Sequence, residues 1–257
     1  PKWFVNDQYT AADSYTYAAG SDTLGNGSAT FPYRSIAKAL SKVKSGDTIF
    51  IDAGIYSETV VIDTDYIALI GKDSNATVID PPGDSSMAGL YGIYSDTQVG
   101  LTIKNIGVTG ALIGIHFINV DMSAIISDSV GSTNNGFYLL NGCDSNTVTN
   151  NIGVFNTNGT MANSSGIYLY GSSNVVSGNT TKSNGTNGIF VSGWNNTVSG
   201  NTSASNANWG IGLLSGIGCT VTANIVSGPL SDGIILQAGS NNIVQGNAIT
   251  STYRGIY

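Results

Sequence analysis

Asp121 and Asp144 stand 23 residues apart, and two carboxylates held about 5–9.5 Å apart can cleave a glycosidic bond as acid and base or acid and nucleophile. His116, five residues before Asp121, adds an imidazole able to move protons near neutral pH. Together the three would form an acid/base site or a weak oxygen-donor site for Ca²⁺. The same residues also suit a plainer role, with the carboxylates accepting backbone N–H bonds in turns and His116 stacked in a column of rings. Elimination next to a substrate carboxylate needs a base and a cation, and the regular part of the chain offers only Lys104, Lys182 and Arg254, which are far apart in sequence. These residues therefore assign no catalytic group outright and no cofactor beyond a weakly held Ca²⁺.

What positions these residues is a repeat. Gly followed by a large apolar residue recurs at Gly92-Ile93, Gly114-Ile115, Gly136-Phe137, Gly166-Ile167, Gly188-Ile189, Gly210-Ile211, Gly233-Ile234 and Gly255-Ile256, at intervals of 22, 22, 30, 22, 22, 23 and 22 residues. A second signal follows within the units, Val-x-x-Asn, at Val148, Val176, Val198, Val221 and Val244. A fixed period of this size marks a stacked architecture. No unit holds the ten or more residues of 3.6-period spacing that a helical repeat requires, whereas short alternating runs such as Gly166-Ile-Tyr-Leu-Tyr170, broken by Gly, Asn and Ser, read as strands and turns. Asn recurring at one turn predicts a ladder of side-chain amides about 4.8 Å apart. Asp121 and Asp144 would then sit on adjacent coils at one turn.

Before the repeats, Trp3-Phe4-Val5 reads as a strand and Tyr33 to Lys44 as an amphipathic helix, with Pro32 ahead of it and Gly46 behind. Gly46-Asp47-Thr48 then leads into Ile49-Phe50-Ile51 and an Ala53-Gly54-x-Tyr56 turn. This helix, the Gly-Asp-Thr-Ile entry and the Gly-Ile repeats resemble the right-handed parallel β-helix proteins of the pectin-lyase-like superfamily, over nearly the whole chain. The resemblance implies an all-β solenoid of about 22 residues per coil with an N-terminal capping helix. It would form one domain over 1–257: strand, loop and helix in 1–46, irregular first coils in 47–85, regular repeats in 86–257, and an insertion near 156–163 that bulges from one turn. The superfamily holds lyases, hydrolases, epimerases, tailspikes and non-catalytic surface proteins. This sequence has neither a lyase-type Asp cluster with a neighbouring Arg nor an epimerase-type Asp-Pro-His-Glu string, so the resemblance points to its non-catalytic secreted or cell-surface members.

Composition narrows the partners. Charged residues make up 10% of the chain, against about 25% in an average soluble protein, and the net charge is −7. That excludes an electrostatic footprint for nucleic acid and disfavours a strongly polyanionic substrate unless metal ions intervene. No run is long and apolar enough for a transmembrane helix. The Pro1 start reads as a processed product or a fragment, and Gly255-Ile256-Tyr257 opens a unit with no closing segment, so truncation or a neighbouring subunit is expected there. Cys143 and Cys219 lie three coils apart, about 14 Å at strand spacing and too far for a bridge. They are expected to be buried thiols, or else to cross-link chains. Eight Asn-x-Ser/Thr sequons, among them Asn26, Asn75, Asn158, Asn163, Asn184 and Asn195, would mark exposed turns if the host glycosylates them.

Strand alternation puts Gly+1 and Gly+3 inside and Gly+2 and Gly+4 outside. The outer rows then carry Tyr94, His116, Tyr138, Tyr168 and Phe190, with Leu140 and Tyr170 beside them. So apolar a face suggests a protein contact surface, a platform for sugar rings, or a face covered by the chain's own loops. The expectation is a secreted or cell-envelope structural or adhesive protein that self-associates or packs on other envelope proteins in a layer, sheath or filament. The alternative is a carbohydrate-active enzyme or glycan-binding module, lyase-like or hydrolase-like, using that stripe with Asp121 and Asp144.

Overall fold

A computed structural model describes residues 1–83, 90–131, 133–157, 164–250 and 252–257. The chain winds as a right-handed parallel β-helix, and its described strands form three sheets of ten, nine and nine strands. One coil shows the plan: Ile113–Ile118 lies in the second sheet, a turn leads to Ala124–Ile126 in the first, a sharp bend leads to Ser129–Gly131 in the third, and the chain returns to Asn135–Leu140 in the second. Each strand pairs in parallel with its counterpart one coil away, so that Ile115 faces Phe137, Ile125 faces Val148 and Val130 faces Gly153. The irregular residues after Thr48 already supply strands to all three sheets, at Thr48–Ile51, Gly54–Tyr56 and Val60–Ile62.

The repeat explains the interior. Ile93, Ile115, Phe137, Ile167, Ile189, Ile211 and Ile234 are fully buried, as are Phe117, Leu139, Leu169 and Val191 at the next inward position. Each such side chain contributes roughly 1.5–3 kcal/mol of burial, and a single coil offers too few of them to stand alone. The recurring glycine answers to close approach. A Cβ on Gly136 would lie 2.4 Å from the carbonyl oxygen of Gly166, and one on Gly210 would lie 2.7 Å from that of Gly233, both inside van der Waals contact.

The asparagine ladder forms, and it is tied to the bend. Asn151, Asn179, Asn201 and Asn224 are completely buried, and the residue before each adopts a left-handed φ: 57° at Asn150, 65° at Gly178, 64° at Gly200 and 55° at Ala223. Asn201 Oδ1 accepts from both the backbone N–H and the side-chain amide of Asn179 at 2.9 and 3.0 Å, and Asn201 Nδ2 donates to the Val176 carbonyl. Buried polar backbone is thereby satisfied at every step. Asp128 ends this column with a carboxylate, accepting from Ile106 and Ile126 N–H groups. Burial holds its carboxyl well above the usual range.

The helix is shorter than its periodicity suggests, Ile36–Leu40. Tyr33 forms an isolated parallel bridge with Val5 and donates its N–H to Phe4, so that residue is held outside the helix. Ser35 then caps the helix with its hydroxyl on Lys38 N–H, while Glu58 accepts from Ile36 and Ala37. The short helix packs against the strands Lys2–Val5, Thr48–Ile51 and Val60–Ile62. Cys143 and Cys219 are free and buried, as expected of small apolar thiols. Asn184 is also buried, so its sequon marks the interior and not an exposed turn. The insertion near 156–163 falls largely outside the described residues, as do Asn158 and Asn163.

Candidate functional site

The outer stripe is a column and not a platform. Its rings contact one another in succession: stacked for Tyr91–Tyr94 (centroids 4.9 Å apart) and Tyr168–Phe190 (4.5 Å), tilted for His116–Tyr138 (5.3 Å) and Tyr138–Tyr168 (5.0 Å), and edge-on for Tyr94–His116 (5.7 Å). Where the next coil places Gly212, Trp209 fills the gap: a Cβ there would meet its ring at 2.8 Å. The faces a sugar would need are used by neighbouring rings. His116 and Phe190 are buried, and Tyr94, Tyr138 and Tyr168 are half-buried. Leu140, half-buried, pairs with Ile118 in the adjoining row.

His116 departs from its expected chemistry. Neither ring nitrogen has a hydrogen-bond partner among the described residues, and burial pulls the imidazole down to about 4, opposed weakly by Asp96. A neutral ring packed between Tyr91 and Tyr138 is not poised to exchange protons with Asp121 or Asp144. Those carboxylates do share a turn, as their spacing requires. Asp121 Oδ1 accepts the Asp144 N–H at 2.8 Å, and Asp144 Oδ1 accepts the Ser172 N–H at 2.6 Å. Each thus ties its coil to the next and keeps one oxygen without a protein partner among the described residues.

The same turn opens into a cleft of about 280 Å³ that holds Asp144, Tyr170, Ser172, Ser192, Trp194 and Ser215 over Gly142, Gly171 and Gly193. Tyr170 is 52% exposed and Trp194 59%, and neither stacks on another aromatic among the described residues. The register with the following coil slips beside Trp194: Ser192 pairs with Leu214 but Trp194 pairs with Ile217, so the extra residue lies in the Leu214–Ile217 stretch. Gly193 sits at φ 122°, and a Cβ there would lie 2.1 Å from the Gly171 carbonyl oxygen. The Ser172 hydroxyl accepts the Trp194 N–H at 3.1 Å, linking the two coils beneath the rings. The cleft thus unites Tyr170 and Asp144 from the sequence expectations and adds Trp194. A Trp directly after Gly193 and before a run of Asn was the available signal.

A larger cleft of about 610 Å³ near the helix is lined by Asp7, Gln8, Tyr9, Asp22, Arg34 and Glu58, among others. Its polar groups are occupied in holding the fold. Both Glu58 oxygens cap the helix, Asp22 accepts from Arg34 and Ser35, and Arg34 donates to Gln8. The cations stay dispersed: Lys104 is in the first sheet, Lys182 in the third, and Arg254 pairs with Asp232 at 2.6 Å.

This combination defines a pectin-lyase-like β-helix protein with a polar, aromatic-rimmed cleft on one turn. By sequence the chain belongs to the NosD family, described as periplasmic copper-binding protein, which it matches over residues 41–215 and again over 157–257. No curated protein matches it. Among solved structures it is similar to a rhamnogalacturonan lyase (TM-score 0.68, 14% identity, 93% of this chain and 74% of that one). It is also similar to the pectate lyase Pel9A (0.60, 16%, 100% and 78%) and to a DFA-IIIase from Arthrobacter chlorophenolicus A6 in complex with DFA-III (0.57, 13%, 79% and 74%). Identities this low establish the fold alone. The family's description agrees with the secreted or cell-surface location expected from the sequence, and no described helix is long and apolar enough to cross a membrane.

Copper prefers imidazole, thiolate and thioether donors, and the described residues do not assemble them. His116, the single histidine, is enclosed by rings. Burial pushes the Cys143 thiol up to about 11 and raises that of Cys219, and Met122 stands exposed on a turn. No group of three or more His, Cys, Asp or Glu converges among the described residues. Met87 and Met161 lie outside them.

Proposed function

We propose that this chain is a secreted or cell-surface β-helix protein that binds glycans in the Tyr170–Trp194 cleft. One observation carries the reading: two exposed aromatic rings with unspent faces lie beside a carboxylate oxygen that no group among the described residues uses. Aromatic faces pack on the C–H side of a sugar ring, and carboxylates accept from its hydroxyls. The named similarity to enzymes of rhamnogalacturonan, pectate and DFA-III supports a carbohydrate partner. Binding without turnover fits better than hydrolysis, because Asp121 and Asp144 each give an oxygen to a backbone amide. Calorimetry against a panel of oligosaccharides tests this. Binding that falls tenfold or more in Trp194→Ala is expected, with no new reducing or unsaturated ends after prolonged incubation. Binding unchanged in Trp194→Ala would remove the cleft from the function.

The assembly reading has a narrower basis. The stripe on which it rested spends its ring faces internally, although exposed Ile152, Ile225 and Leu230 leave apolar surface elsewhere. Light scattering of the native protein tests it: large regular assemblies that persist in Trp194→Ala would favour this second reading.

A further inference from the structure

The cleft's charge says which sugars it takes. Resting on the glycan-binding reading, we infer that the Tyr170–Trp194 cleft selects a neutral sugar residue with adjacent hydroxyls and rejects uronates, with Asp144 as the residue that sets this specificity. No Lys or Arg lines the cleft, and its one acidic side chain is Asp144, whose Oδ2 has no protein partner among the described residues. Asp121 adds a second carboxylate one coil away on the same turn, and the chain as a whole carries −7. A sugar hydroxyl donates to Asp144 in a charge-assisted bond, and an adjacent hydroxyl extends that contact. A uronate would instead bring a carboxylate toward Asp144 with no cation to neutralise it, and like charges at such range repel.

The remaining groups fit an uncharged ring. Ser172 and Ser215 supply hydroxyls that donate or accept, and Tyr170 and Trp194 supply ring faces for C–H contact. Arg254, the best clamp for a carboxylate, is committed to Asp232 and lies over the Tyr257 ring. This selectivity separates the cleft from the polyanionic materials named in its pectate and rhamnogalacturonan fold relatives.

Titration calorimetry with matched neutral and uronate oligosaccharides, galactan against oligogalacturonate and glucan against oligoglucuronate, tests the inference on the intact chain. A neutral ligand binding at least tenfold more tightly than its uronate partner is expected, with the gap narrowing at high salt. Asp144→Asn keeps an oxygen for the Ser172 N–H and should weaken the neutral ligand while closing the gap. Asp144→Lys should reverse the preference, with its circular dichroism unchanged as a control on folding. Uronates that bind as well as their neutral partners, with Trp194-dependence intact, overturn the selectivity and leave the glycan site standing. Failure of every oligosaccharide to bind overturns the glycan reading itself.

Discussion

The aromatic column and the aromatic-rimmed cleft are built from the same residue types on the same face of the rod, yet only one leaves its rings exposed. In the column, Tyr94, His116, Tyr138, Tyr168 and Phe190 occupy one register position on successive coils, so each ring covers the next. In the cleft, Tyr170 and Trp194 come from different register positions, since Tyr170 pairs with Ser192 and Trp194 lies two residues further along that strand. A solenoid repeats its coil spacing of about 4.8 Å, which is near the stacking distance of rings. Aromatics in register are therefore absorbed into structure, and those out of register stay available.

The comparison predicts opposite consequences for similar mutations. The largest effect belongs to the column: Tyr168→Ala should cost about 3 kcal/mol and lower the thermal midpoint while leaving glycan binding within twofold. Binding lost in proportion to stability would break the distinction.

Acid comes next. His116 is neutral in the fold, with its value depressed to about 4 against about 6.5 in an unfolded chain. Its stabilising contribution is complete above pH 6.5 and is lost as pH falls to 4, by about 3 kcal/mol. His116→Phe should flatten that part of the pH–stability curve, measured by denaturant unfolding between pH 7 and 4.

Asp128 supplies a control of opposite sign, since its raised value means that ionisation at neutral pH costs stability and protonation restores it. Asp128→Asn should raise the unfolding free energy at pH 7 by about 1 kcal/mol, and the gain should fade as pH falls through the raised value toward the ordinary carboxylate range. A gain that persists at low pH would assign the effect to hydrogen bonding instead. The smallest stability effect is expected from Trp194→Ala, within about 0.5 kcal/mol, although it should abolish most binding.

The sequence displayed its architecture because every coil repeats the same demands. The Gly-Ile openings, the inward Gly+3 row and the Val-x-x-Asn ladder each correspond to a buried position where few residue types fit. The site was less legible because it depends on departures from the repeat. Trp194 lies six residues after Gly188, with the outward parity of Gly+2 and Gly+4, but the outer rows read from the repeat stopped at Gly+4. The same counting placed Tyr138 and Tyr168 outward, correctly in direction, but it carried no information on whether one ring would cover the next. Trp209, three residues before Gly212, fills a gap that no periodic count assigns to it. The expected helix from Tyr33 to Lys44 was overestimated for a related reason: its apolar stripe is real, but Tyr33 is taken by a strand bridge and Ser35 starts the helix late.

The buried asparagines have one more consequence. Asn179 takes the N–H of Asn151 and gives its amide to Val148 and to Asn201, so each rung fastens the coil before it and the coil after it in identical fashion. A coil can then be removed or duplicated as a block of 22 residues, and the flanking rungs will find equivalent partners. The rod behaves as a zip fastener whose number of teeth is written as gene length, and the reach of its binding turn can be adjusted without redesigning any tooth.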